Sequence, residues 1–96
     1  MAAVVITRTA IADLDRLTTT LNLPAGTRDR VRSSLGPLTA FPLFGPRLAG
    51  RWQGLRFVLG PWSWMLIVYV YVEERDLVAV VTIQDARSAE SATSQT

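Results

Sequence analysis

The sequence predicts a small single α+β domain, ordered β-α-α-β-β-β, with a helical hairpin packed on one face of a mostly antiparallel sheet. Three observations carry that prediction. Trp64 to Val72 is an unbroken apolar run rich in β-branched and aromatic residues, as a strand buried on both faces reads. Glu73 to Asp76 is a polar break of hairpin length, and Leu77 to Ile83 is a second β-rich run. Upstream, Ile11, Leu14, Leu17 and Leu21 recur at spacings of three, three and four, a helical apolar stripe.

The remaining elements follow in chain order. Ala2 to Thr7 reads as a short first strand. Thr7 or Thr9 caps the helix that follows, and Asp13 and Asp15 sit early in it, where negative charge suits a helix start. Thr18 to Thr20 weaken that helix toward its end. Leu23-Pro24-Ala25-Gly26 is a break, after which Thr27 caps a second helix with Val31, Leu35 and Leu38 on one stripe. Pro37 lacks a donor N–H, so this helix ends or kinks near Gly36. Phe41-Pro42-Leu43-Phe44-Gly45-Pro46 is a rigid connection to a strand at Leu55 to Leu59, which turns at Gly60-Pro61. Residues 1–87 make the domain; Ser88 to Thr96 is small and polar and reads as a disordered tail.

Pairing Val72 with Leu77 across the hairpin sorts the strands by parity. Leu66, Val68, Val70 and Val72 share a face with Leu77, Ala79, Val81 and Ile83, joined by Leu55, Phe57 and Leu59. That wholly apolar face is the one expected under the helices. Met65, Ile67, Tyr69 and Tyr71 share the other with Val78, Val80, Thr82, Gln84 and Arg56, and this face is expected to meet a partner or solvent.

Composition narrows the chemistry. The 96 residues are 49% hydrophobic and 19% charged with mean hydropathy +0.24, which suits a packed core rather than disorder. There is no cysteine or histidine, so thiol nucleophiles, disulfides, a serine–histidine–carboxylate triad and cysteine or histidine metal sites are excluded. No metal or other cofactor is expected. Ala2 to Ile6 is too short and lacks the basic start of a secretory signal, and no run approaches the ~18 apolar residues of a membrane span. A cytoplasmic location is expected. All ten basic residues are arginine, the side chain better suited to bidentate phosphate contact.

Charge is unevenly placed. Between Arg28 and Arg56 six arginines stand against Asp29 alone, whereas the hairpin turn carries Glu73, Glu74 and Asp76 against Arg75. Arg47, Arg51 and Arg56 are interleaved with Trp52 and lead to Tyr69, a pattern that fits phosphate contact with base stacking and equally fits solvated faces of both signs. Trp62 and Trp64 flank a tight turn and read as packing residues.

The chain resembles the RelE/ParE toxin superfamily of bacterial type II toxin–antitoxin systems over residues 4–87. The likeness rests on Val5-Ile6-Thr7-Arg8-Thr9-Ala10 with Asp13-Leu14 and Leu17, on Leu38-Thr39-Ala40-Phe41-Pro42, on Gly45-Pro46-Arg47-Leu48-Ala49-Gly50, and on Leu55-Arg56-Phe57 with Leu66-Ile67-Val68-Tyr69. The resemblance implies a growth-inhibiting toxin that forms a complex with a cognate antitoxin. It implies ribosome-dependent mRNA cleavage by a metal-independent endoribonuclease or, alternatively, inhibition of DNA gyrase or a non-catalytic interaction domain. On the nuclease reading Arg56, Arg87 and Tyr69 are catalytic, and Arg47, Arg51, Trp52 and Tyr71 bind RNA. The sequence departs from the nuclease pattern in having Trp64-Met65-Leu66 where family members often carry a second arginine, and in lacking the connecting-loop lysines and a late tyrosine or histidine.

Overall fold

The computed structural model describes residues 1–94, and its secondary structure follows the expected order with one addition. The elements are β1 (Ala3–Ile6), α1 (Arg8–Leu21), α2 (Thr27–Ser34), α3 (Pro37–Ala40), β2 (Arg56–Leu59), β3 (Met65–Val72) and β4 (Leu77–Asp85). The four strands form one mixed sheet in the order β1-β4-β3-β2, with β1 parallel to β4 and the other pairs antiparallel. Among the described residues no helix is long and apolar enough to cross a membrane.

Local chemistry sets the helix boundaries. The Thr7 hydroxyl accepts from the Ala10 N–H and so caps α1. Asn22, in the left-handed region at φ 52°, closes its other end by donating to the Thr18 carbonyl. At the second helix the expectation needs correcting. Gly26, at φ 85°, is the cap residue; Thr27 is the first helical residue, and its hydroxyl donates back to the Pro24 carbonyl at 2.6 Å. The stripe through Leu38 does not belong to one helix either. α2 stops at Ser34, and Pro37 opens the separate short α3, where a missing N–H costs nothing.

The hairpin pairs Val72 with Leu77 as expected, through a tight turn in which Asp76 takes φ 48°. The register then shifts. Tyr69 opposes Val80 whereas Val68 opposes Thr82, leaving Val81 as an extra residue on β4. This bulge reverses the parity of β4 beyond it, which places Ile83 opposite Ile67 rather than beside Leu66.

The larger correction concerns which face carries the helices. Ala10, Leu14, Val31, Leu35 and Leu38 pack on Met65, Ile67, Tyr69, Val78, Val80 and Ile83. That is the face expected to be open. The opposite face holds a second, smaller core of Leu48, Leu66 and Val68, against which Trp52, Leu55, Phe57, Ala86 and Ala92 pack. The grouping of residues by face was sound as far as the bulge, but the side was inverted. The physical reason is that Met65 through Tyr69 are all buried, so apolarity could not distinguish the two faces. The tyrosine hydroxyl that suggested exposure has a partner inside the protein.

Part of the segment expected as a disordered tail is among the described residues. Residues 88–94 run in turns on the face opposite the helices; Ser91 is buried, its hydroxyl donates to the Ala86 carbonyl, and the Ala92 N–H donates to Gln84 Oε1 at 2.8 Å. The Ser91 hydroxyl and the Ala92 N–H of this polar segment thus bond to neighbouring main chain and side chain. Its last two residues, Gln95 and Thr96, lie outside the described residues.

Candidate functional site

Two groups of residues flagged by the sequence sit on opposite sides of the sheet. The first is built around Gly45. Arg56 opposes Tyr69 across β2 and β3, so both point to the helix side. Tyr69 is fully buried, and its hydroxyl accepts the Gly45 N–H at 2.9 Å. Arg56 Nη1 donates to the Gly45 carbonyl at 2.8 Å and to the Leu43 carbonyl at 3.2 Å. The connection from Phe41 to Pro46 is therefore held from both sides at one residue. That residue has to be glycine, because a Cβ there would stand 2.2 Å from the Phe57 carbonyl oxygen. Burial raises the Tyr69 phenol above its ordinary value, although the Gly45 hydrogen bond and the Arg56 charge oppose the shift.

The second group lies on the face away from the helices. After the connection, an isolated Arg47–Arg56 bridge and the Leu48 N–H to Leu55 carbonyl bond, at 2.9 Å, fold the chain back beside β2. Between them residues 50–52 make a single 3-10 turn, with Gly50 at φ 64° opening the turn and Gly54 at φ 91° following it. The turn presents Arg51 over the Trp52 ring at 5.2 Å. Arg47, Arg51, Trp52 and Phe57 line a groove of about 630 Å³ whose other wall is residues 89–94. A second cleft of about 430 Å³ shares Arg51 and Trp52 and adds Arg16 and Asp85.

Arg87 and Tyr71 lie at opposite ends of β3. Arg87 is held by Asp85 through Nε and Nη2, at 2.9 and 2.8 Å, and stacks on Trp64 at 4.8 Å. Trp64 in turn stacks on Trp62 at 5.9 Å, and Arg30 caps Trp62 at 4.7 Å. The hydrogen bonds from Arg87 hold the Asp85 carboxyl below the usual carboxylate range and raise the guanidinium. Tyr71 donates to Asp76 Oδ1 at 2.7 Å, and that bond pushes its phenol up.

The structure thus brings Arg47, Arg51 and Trp52 together, and separately pairs Arg56 with Tyr69 around a backbone turn. It joins neither Arg87 nor Tyr71 to either group. Two residues that carried the resemblance were assigned no role from the sequence. Gly45 is one. The other is Asp13, buried on α1, whose Oδ2 accepts from the Thr82 hydroxyl and the Ile83 N–H while Oδ1 pairs with Arg16. Asp13 is the sixth residue of α1 rather than part of its first turn, and it serves β4 just past the point where β1 stops pairing with it.

No protein-family model matches the sequence, and no curated protein sequence does. Solved structures do. The toxin–antitoxin complex RelBE from Mycobacterium tuberculosis contains a chain 21% identical, with a TM-score of 0.63 over 88% of this chain and 96% of that one. The intact RelBE complex from Escherichia coli contains one 14% identical, with a TM-score of 0.66 over 92% and 100%. A conserved protein of Helicobacter pylori, known in solution, is 19% identical with a TM-score of 0.55 over 88% and 94%. The chain has the fold of RelE toxins.

Proposed function

We propose that this chain is the toxin half of a type II toxin–antitoxin pair, neutralised by an antitoxin and arresting growth by binding its target through the groove of Arg47, Arg51 and Trp52. The observation that carries this reading is the convergence of those three residues on the face free of helices, in a fold shared with toxins found in complex with antitoxins. Two exposed guanidiniums beside an indole suit a phosphate-bearing or acidic partner.

The same geometry argues for binding rather than bond breaking. On the helix-free face, the middle of the sheet is Phe57, Leu66, Val68, Val70 and Val72, which can neither take nor give a proton. The two side chains with suitable chemistry, Tyr69 and Arg56, hold Gly45 on the other side. A protein target such as DNA gyrase fits a binding toxin. A second reading, ribosome-dependent mRNA cleavage, is favoured by the arginine–tryptophan groove itself. In it Arg47, Arg51 and Trp52 hold RNA, a 2′-hydroxyl gives its proton to water as its oxygen attacks the adjacent phosphorus, the 5′-oxygen leaves and takes a proton from water, and Arg87, released from Asp85, stabilises the charge on the phosphate.

Induced expression tests the proposal. The chain should arrest growth, co-expression of the protein encoded beside it should restore growth, and Arg47→Ala/Arg51→Ala should abolish arrest while leaving the fold intact. Equal arrest by the double variant would overturn the assigned groove. No arrest by the parent chain would overturn the toxin reading. Labelled amino-acid and thymidine incorporation then separate the two targets.

A further inference from the structure

Residues 89–94 form one wall of the groove that holds Arg47, Arg51 and Trp52. The chain reaches that position by turning back after β4. The Ser88 N–H donates to the Asp85 carbonyl at 2.9 Å, and the Ser91 N–H to the Ser88 carbonyl at 3.1 Å. The segment then lies on the helix-free face, at the end of the sheet where Gln84 stands opposite Leu66. There Ala92 packs on the small core of Leu48, Leu66 and Val68, as Trp52 does.

Few contacts hold it down. The Ser91 hydroxyl donates to the Ala86 carbonyl at 3.3 Å, and the Ala92 N–H to the Gln84 side-chain oxygen at 2.8 Å. The Ser91 and Ser94 N–H groups bond only within the segment. Its one charged residue, Glu90, is in no ion pair among the described residues. A net hydrogen bond favours closure by a factor of roughly two to twelve, and a buried methyl by about fourfold. A segment tied by so little opens far more readily than the domain unfolds.

Its position masks the groove. Glu90 lines both clefts that contain Arg51, so the closed segment sets a carboxylate beside two guanidiniums and offsets one of their charges. The backbone of residues 89–94 also walls in the side of the groove across from the Trp52 ring.

We propose that residues 88–94 are a self-masking strap: closed, they narrow and partly neutralise the target groove, and the target binds when the strap lifts. The proposal rests on the assignment of the target to that groove. Apparent affinity for the target is then reduced by the open fraction, so contacts remote from the arginines set the dose that stops growth.

The full chain has no cysteine, so one introduced thiol reports the opening. Ser91→Cys places it at a buried position of nearly equal size, and Ser63→Cys supplies an exposed control. A maleimide should label Ser91→Cys at least about tenfold more slowly than the control, yet well above the rate of global unfolding. Adding Gln84→Ala, which removes the acceptor of the Ala92 N–H, should speed that labelling roughly two- to twelvefold with little change in global unfolding. Gln84→Ala alone should lower the expression level that arrests growth by a similar factor. Labelling as fast as the control, or only as fast as global unfolding, would overturn the strap. Faster labelling with an unchanged arresting dose would show that the segment masks nothing, and with a higher dose that it completes the groove; either overturns the proposal and leaves the toxin reading standing. A parent chain that does not arrest growth would overturn the toxin reading, and the masking role with it.

Discussion

Replacing Tyr69 by phenylalanine separates a structural tyrosine from a catalytic one. The ring fills a fully buried site between the helices and the sheet, and phenylalanine fills it equally. What is lost is the hydroxyl that accepts the Gly45 N–H at 2.9 Å. Gly45 is buried, and Arg56, the other side chain on it, only donates. The N–H is left without an acceptor, at a cost of about 1–3 kcal/mol. For a domain of this size each kcal/mol lowers Tm by roughly 4–8 °C. Tyr69→Phe should therefore melt about 5–20 °C below the parent, with an unchanged dependence on denaturant concentration, as followed by tryptophan fluorescence. Tyr71→Phe, which removes a hydroxyl bonded to the exposed Asp76, should shift stability by less than about 0.5 kcal/mol. Below its melting temperature Tyr69→Phe should still arrest growth. A folded Tyr69→Phe protein that no longer arrests growth, or one as stable as the parent, would refute the reasoning.

Further predictions follow from the same geometry. Gly45→Ala would bring a Cβ to 2.2 Å from the Phe57 carbonyl, so the connection has to move; thermal melts should show a loss at or above about 3 kcal/mol, the upper end of ordinary overpacking. Asp13→Ala removes a charged acceptor from the Thr82 hydroxyl and the Ile83 N–H and should cost about 1.5–3 kcal/mol, with Asp13→Asn milder because it keeps an oxygen; urea unfolding of both variants checks this. Both tyrosines are raised above their ordinary value near 10, Tyr69 by burial and Tyr71 by its bond to Asp76. Their neutral forms are favoured by folding, so this stabilisation is fully present below about pH 10 and is lost as pH rises through the folded values; spectrophotometric titration should find both phenols ionising later in the native than in the unfolded chain.

Much of the architecture was legible because it depends on periodicity and turn chemistry. The stripe of α1, the Glu73–Asp76 break and the Val72–Leu77 pairing each have a local cause visible in the sequence. The sidedness of the sheet was not legible. Met65 to Tyr69 are buried on both faces, so the period-two pattern offered two equally apolar choices, and the bulge at Val81 exchanged the faces of β4 partway along. The partner of the Tyr69 hydroxyl is an N–H in a connection 24 residues away, a relation that no local pattern encodes. The pairing of Arg56 with Tyr69 on one face was read correctly, whereas its inward direction was not. Arg47, Arg51 and Trp52 were grouped by spacing together with Arg56, which instead turns to Gly45 on the helix side; the other three line one groove because the turn at residues 50–52 folds them back along β2.

The most direct test of the account incubates the purified chain with ribosomes programmed with a defined mRNA and maps the RNA ends. At concentrations that arrest growth in cells, the account predicts intact mRNA, with Arg56→Ala and the parent indistinguishable in this assay. Discrete cuts in the message by the parent chain, lost in Arg56→Ala or Tyr69→Phe proteins that remain folded, would contradict it.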